Sequence, residues 1–196
     1  MRVVSGTFRG RRLRVPRGQR TRPTSDRVRE ALFSTLGDAV VGAHVLDLFA
    51  GSGALGIEAL SRGAASATFV ERDRATAAVL RENLAVLGVT ADIHVGDVAR
   101  FLGALERDGE PVFDVALCDP PYRLSSQDLA ALLARLARSG RLGPDATVVA
   151  ERTRHGQALS FPDQELHVAD VRTYGDTVLY YLRRGVPGAS GAQAHE

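Results

Sequence analysis

Between residues 45 and 150 the chain repeats one unit: a short apolar run, a turn, then a stretch with apolar residues at helical spacing. The runs are Val45–Phe49, Ala67–Val70, Asp92–Val95, Val112–Cys118 and Thr147–Ala150. Between them, Ala54–Arg62 reads as a helix stopped by Gly63. Asp73–Leu87 carries Ala77, Leu80, Leu84 and Leu87 on one face and is stopped by Gly88. Two more helices are striped by Val98, Phe101, Leu102 and Leu105, and by Leu129, Leu132, Leu133 and Leu136. Strands that are apolar throughout are buried on both faces, and strands joined by helices run parallel. The pattern predicts an α/β fold with a mostly parallel sheet covered on both faces, and Val112–Cys118 as its central strand. After residue 150 the rhythm changes. Glu165–Thr173 and Thr177–Leu182 flank the hairpin-sized turn Tyr174-Gly175-Asp176, which adds an antiparallel strand and closes a sheet of seven.

The amino-terminal end is different. Residues 2–15 read as a small hairpin, residues 16–24 as a loop with prolines at 16 and 23. A helix then starts at Thr24 or Ser25, striped by Val28, Ala31, Leu32 and Leu36 and ended by Gly37. All 25 basic residues of the chain are arginines. Ten lie in residues 1–29 against one acid, Asp26; residues 30–196 hold fifteen arginines and twenty-two acids. A basic extension on a mildly acidic body is a footprint of nucleic-acid binding. The expected division is a basic hairpin and loop over 1–24, a main domain over 25–184, and a disordered tail over 185–196, rich in Gly, Ala and Ser.

Composition narrows the setting. A single cysteine, Cys118, rules out an internal disulfide and a four-cysteine metal site. The five histidines show no metal-ligand spacing, so no metal is expected. No apolar run approaches the ~18 residues of a membrane span, and the first residues lack a secretory pattern. A cytoplasmic monomer is expected.

Asp47-Leu48-Phe49-Ala50-Gly51-Ser52-Gly53-Ala54-Leu55-Gly56 joins the first strand of the series to its helix. Gly51, Gly53 and Gly56 match G-x-G-x-x-G, a turn that lets a ligand approach the backbone. Glu71, at the end of the next strand, is placed to accept both hydroxyls of an adenosine ribose. Asp47 suits the cationic amino group of a methionine moiety and has no use for a pyrophosphate. Asp97 can accept from an adenine amino group or cap the helix behind it. Together they favour S-adenosylmethionine over a nicotinamide dinucleotide. Removing residues 1–20 is expected to leave such a site intact, because its residues lie elsewhere in the chain.

Asp119-Pro120-Pro121-Tyr122 follows the fourth strand at its carboxyl end, where ligands bind in open α/β sheets. Two prolines stiffen the loop and remove two backbone donors. A carboxylate, a fixed carbonyl and an aromatic face fit a planar base with an exocyclic amine: Asp119 and the Pro120 carbonyl accept the two N–H groups, and Tyr122 stacks on the ring. Cys118 reads as a packing residue.

Asp-Leu-Phe-Ala-Gly-Ser-Gly with Asp-Pro-Pro-Tyr resembles the class I, Rossmann-like S-adenosylmethionine-dependent methyltransferases that modify exocyclic amines. Arg2-Val3-Val4-Ser5-Gly6 and Arg22-Pro23-Thr24-Ser25-Asp26-Arg27-Val28-Arg29-Glu30-Ala31-Leu32-Phe33 resemble the RsmD family, and the similarity continues through Asn83 and Tyr174-Gly175-Asp176-Thr177. The resemblance implies methylation of guanine N2 in bacterial 16S ribosomal RNA, with that RNA or the small ribosomal subunit as partner. By carry-over, Gly51, Gly53, Glu71 and Asp97 hold the cofactor, and Asp119, Pro120 and Tyr122 hold the guanine. Arg22 and Thr24 lie near cofactor or target, and the hairpin, with Arg9, Arg11 and Arg12, tracks phosphates. The tetrapeptide alone also allows an N6-adenine methylase of DNA or RNA, and the fold alone allows a non-catalytic RNA-binding protein.

Overall fold

The computed structural model describes residues 1–16, 25–108, 112–162 and 165–185. The loop with Arg22 and Thr24, and the tail from residue 186, lie outside the described residues. Helix α1 (Asp26–Leu36) starts at Ser25, whose hydroxyl accepts from the Val28 amide, and ends at Gly37. There follow β1 (His44–Asp47), α2 (Ala54–Ser61), β2 (Ser66–Glu71), α3 (Arg74–Leu87), β3 (Asp92–Val95) and α4 (Val98–Asp108). The chain continues with β4 (Phe113–Cys118), α5 (Ser126–Arg138), β5 (Leu142–Thr153), β6 (Leu166–Tyr174) and β7 (Thr177–Arg184).

The seven strands are ordered β3-β2-β1-β4-β5-β7-β6, with β4 at the centre. β1 to β5 pair in parallel, and β7 runs antiparallel to both β5 and β6. Successive strand side chains point to opposite faces, and this splits the core into two layers. Val115 and Leu117 of β4 pack with Leu32 and Phe33 of α1, Ile57 of α2 and Leu80 of α3. Ala116 and Cys118 pack with Leu102 of α4 and with Leu129 and Leu133 of α5.

The strand limits differ from the sequence pattern most at β1 and β5. β1 stops at Asp47, although the Leu48 amide still reaches the Leu117 carbonyl at 2.9 Å. β5 begins at Leu142, five residues before the apolar run, because Gly143-Pro144-Asp145 reads as a turn yet forms an irregular part of the strand. The register jumps from Phe113↔Leu142 to Val115↔Thr147, as at a bulge.

The hairpin reduces to one antiparallel bridge, Arg2↔Arg12, closed by the Val3 amide on the Arg11 carbonyl. It is no free arm, since Val3 and Leu13 are buried in the first core layer. The Glu58 carboxylate on α2 accepts the Val4 and Ser5 amides at 2.7 and 2.9 Å, and faces Arg62 Nε at 2.9 Å and Arg29 Nε at 3.6 Å. Gly6 has a positive φ of 79°, and a Cβ there would sit 1.8 Å from the Ser61 carbonyl oxygen. Only glycine lets the hairpin lie this close to α2.

Candidate active site

Asp47, Glu71, Asp97 and Asp119 lie at or just past the carboxyl ends of β1, β2, β3 and β4. Those strands are adjacent, and the chain leaves β1 toward one side of the sheet and β4 toward the other. A crevice opens at such a switch point because the two connections diverge.

The glycine loop crosses this crevice. Gly53 caps α2 in the left-handed region with φ 88°, and a Cβ there would meet Leu80 at 2.3 Å. Gly56 faces the Phe69 ring, which a Cβ would meet at 2.2 Å, so helix and sheet approach as closely as backbone permits. The Gly51 amide donates to Glu71 Oε2 at 2.9 Å, while Glu71 Oε1 accepts from the Asp73 amide at 2.7 Å. Glu71 therefore shapes the loop from the end of β2.

Asp47 is 1% exposed. Its Oδ2 accepts from the Gly56 amide at 2.9 Å, and its Oδ1 is buried with no hydrogen-bond partner among the described residues. Burial pushes its carboxyl up to about 7; the Gly56 amide opposes this, and the Asp119 and Glu71 carboxylates add to it. A buried carboxylate with an unused oxygen beside two further acids is a site for a cation. Asp97 is exposed, and its Oδ1 accepts from the Ala99 amide at 2.8 Å, the capping role. It borders a pocket of about 150 Å³ that Val70, Val95, Gly96 and Phe101 also line.

In the tetrapeptide, Pro120 is buried and Tyr122 is 62% exposed, presenting its ring to solvent. Asp119, Pro120 and Tyr122 line a shallow pocket with Glu151, Arg152 and Thr153 from the end of β5. Arg152 donates to the Leu124 carbonyl at 2.9 Å and so ties the loop to β5, while its buried Nε has no hydrogen-bond partner among the described residues. The sequence reading missed these three β5 residues. Charge arriving directly after an apolar strand, at the sheet edge that binds ligands, was the available sign. Burial, followed by the Asp119 and Asp47 carboxylates, pushes the Cys118 thiol up, so it stays protonated as a packing residue.

Of the hairpin arginines, Arg9 and Arg12 are exposed without a side-chain partner among the described residues. Arg11 is exposed too, but donates to the Val86 carbonyl at 2.9 Å near the end of α3. Among the described residues, no group of three or more His, Cys, Asp or Glu is arranged around a metal position, and no helix is long and apolar enough to cross a membrane.

A family model described as conserved hypothetical protein 95, the RsmD family, matches residues 1–183. This chain belongs to the RsmD family. YlbH of Bacillus subtilis strain 168 is 40% identical to it over 190 residues, covering 94% of this chain and 100% of YlbH. Ribosomal RNA small subunit methyltransferase D of Escherichia coli K12 is 42% identical over 151 residues, covering 77% of this chain and 74% of its own. The solved structure of yhhF from Escherichia coli superposes with a TM-score of 0.81 at 35% identity, covering 94% of this chain and 98% of that one. The RsmD-family match takes in the hairpin, the glycine loop and the tetrapeptide together.

Proposed function

We propose that this RsmD-family chain is an S-adenosylmethionine-dependent methyltransferase that acts on the N2 amine of a guanine in small-subunit ribosomal RNA. The observation that carries the reading is that Asp47, Glu71 and Asp119 end adjacent strands at one edge of the sheet, close enough for the Asp119 and Glu71 carboxylates to raise the Asp47 carboxyl. Asp47 Oδ1 offers a buried acceptor for the ammonium of the methionine moiety. Glu71 and Asp97 would take the ribose hydroxyls and the adenine amine, each carboxylate oxygen having a second lone pair beyond its present backbone bond. S-adenosylmethionine, when bound, supplies a methyl group on a sulfonium.

The chain's own residues then prepare the nucleophile. An exocyclic amine is weak because its lone pair is delocalised into the ring. Acceptors at Asp119 and the Pro120 carbonyl favour a pyramidal nitrogen, and the Asp119 charge stabilises positive charge arriving there. Tyr122 holds the ring plane, and orientation contributes much of the remaining acceleration. Guanine presents an N1–H donor and an O6 acceptor alongside N2. The Glu151 carboxylate and Arg152 guanidinium beside Asp119 match that pair, whereas adenine presents an acceptor, not a donor, next to its amine. Exposed Arg9 and Arg12 supply phosphate contacts that position the RNA.

Digestion and mass spectrometry of small-subunit RNA treated with protein and S-adenosylmethionine tests the reading. N2-methylguanine is expected. N6-methyladenine would select the adenine reading, and RNA binding without methylation would select a non-catalytic role.

The Asp47 carboxyl gives a second expected outcome. Its pKa in the folded chain lies above the ordinary 3.8, so the fold holds that proton more tightly than the unfolded chain does. Asp47 therefore lowers stability progressively as pH rises from about 4 to 7. Cation binding favours the ionised form and must expel the proton. Affinity for S-adenosylmethionine should rise with pH through about 7, and be roughly tenfold weaker at pH 6 than at pH 8. Calorimetric titration across that range checks it, and Asp47→Asn should flatten the profile. A flat wild-type profile would place the ligand's cation elsewhere.

A further inference from the structure

Asn83, on α3, is 3% exposed and belongs to neither the cofactor residues nor the hairpin. Its Oδ1 accepts from the Arg14 amide at 2.8 Å, and its Nδ2 donates to the Arg14 carbonyl at 3.0 Å and to the Ser52 carbonyl at 2.9 Å. One amide thus reads both backbone groups of a residue in the second limb of the hairpin and clasps the middle of the glycine loop. The same helix carries Leu80 beneath Gly53, Glu82 paired with the Arg14 guanidinium at 2.6 Å, and the Val86 carbonyl that Arg11 reaches. Hairpin and cofactor loop are therefore in structural contact through Asn83, and removing residues 1–20 would strip Asn83 of its Arg14 partners.

We infer that Asn83 is a positioning residue that couples the hairpin to the glycine loop, so that RNA and cofactor each strengthen the binding of the other. The coupling rests on the reading above that the hairpin arginines meet RNA. Physically, the Ser52 carbonyl can keep its buried donor only while Asn83 holds its orientation, and Arg14 fixes that orientation from the other side. RNA that fixes the hairpin fixes Arg14, then Asn83, then the loop that must close on the cofactor. A ligand that orders one end leaves less ordering to be done by the ligand at the other, and the effect is reciprocal by linkage.

The test is a comparison of S-adenosylhomocysteine affinity, by calorimetry, with and without 16S ribosomal RNA, supplied both as a transcript and within the small ribosomal subunit, on the full chain. For the wild type, RNA should tighten S-adenosylhomocysteine by about 5- to 20-fold. Asn83→Asp keeps the acceptor for the Arg14 amide but loses both Nδ2 bonds. Its coupling factor should fall to within about twofold of one. A role in stability alone would shift melting and leave that ratio unchanged. Asn83→Leu, of similar volume and without charge, serves if the buried acid prevents folding. RNA binding with a wild-type ratio near one, or with the same ratio in a folded variant, overturns the coupling alone. Failure of the wild type to bind the RNA overturns the hairpin reading and the coupling with it.

Discussion

Asp119→Ala is expected to lower methyl-transfer turnover by roughly 10²- to 10³-fold, the scale of losing one preorganised charge-stabilising group. Affinity for S-adenosylmethionine should stay within about threefold, because the proposed site gives the cofactor's cation to Asp47 and its ribose to Glu71. Asp119→Asn keeps a neutral acceptor and should retain part of the activity. Single-turnover rates and calorimetry on the same preparations separate the two effects. The alternative is concrete, since Asp119 lies close enough to Asp47 to raise its carboxyl. If cofactor affinity collapses in step with turnover, Asp119 serves the methionine end of the cofactor and the target amine has another acceptor.

The second large effect is on stability. Glu58→Ala should destabilise the protein by about 3 kcal/mol, the scale of breaking a buried ion pair, although Arg29 keeps Asp26 on its Nη2 at 2.8 Å. Arg29 is 0% exposed, and its Nε and Nη1 have no hydrogen-bond partner among the described residues even with Glu58 present. Removing the carboxylate also strips the Val4 and Ser5 amides of their acceptor. A chain of this size should lose about 10 °C in melting temperature. Glu58→Gln, which keeps acceptor capacity and shape, should lose less. Denaturant unfolding checks both, and a loss below about 1 kcal/mol would mean water takes over the role of Glu58.

The sheet and the carboxyl-end acids were legible because strand burial and ligand chemistry both leave local marks. Val112–Cys118 is apolar throughout, and it is the centre of the sheet. Asp47, Glu71 and Asp119 sit where apolar strands end, so position alone exposed them. Arg29 and Glu58 were not legible in the same way. Arg29 occupies the apolar stripe of α1 together with Leu32, Phe33 and Leu36. A reader seeking hydrophobic periodicity drops a charged residue from the stripe, although its presence there was the sign of a buried pair. Glu58 likewise interrupts the buried run Leu55–Ala59 of α2. The pairing itself spans 53 and 54 residues to the Ser5 and Val4 amides, and no local pattern encodes a contact of that range. Glu151 and Arg152 also follow an apolar strand, but that they flank the tetrapeptide became visible only when the strand order set the end of β5 beside it.

The way the hairpin is held bears on how the chain comes off the ribosome. The hairpin residues are synthesised before their partners and are among the last to find their places. Val4 and Ser5 wait for Glu58, Arg14 waits 69 residues for Asn83, and Arg11 waits 75 for the Val86 carbonyl. Contacts of such sequence separation form late, because the loop they close must be ordered first. Until α3 has emerged, the arginine-rich end is a loose cationic strand beside a polyanionic machine. It becomes a shaped surface only together with the glycine loop, so a half-made chain holds neither, and basic residues that could cling to any RNA acquire their geometry in the same event that makes the enzyme whole.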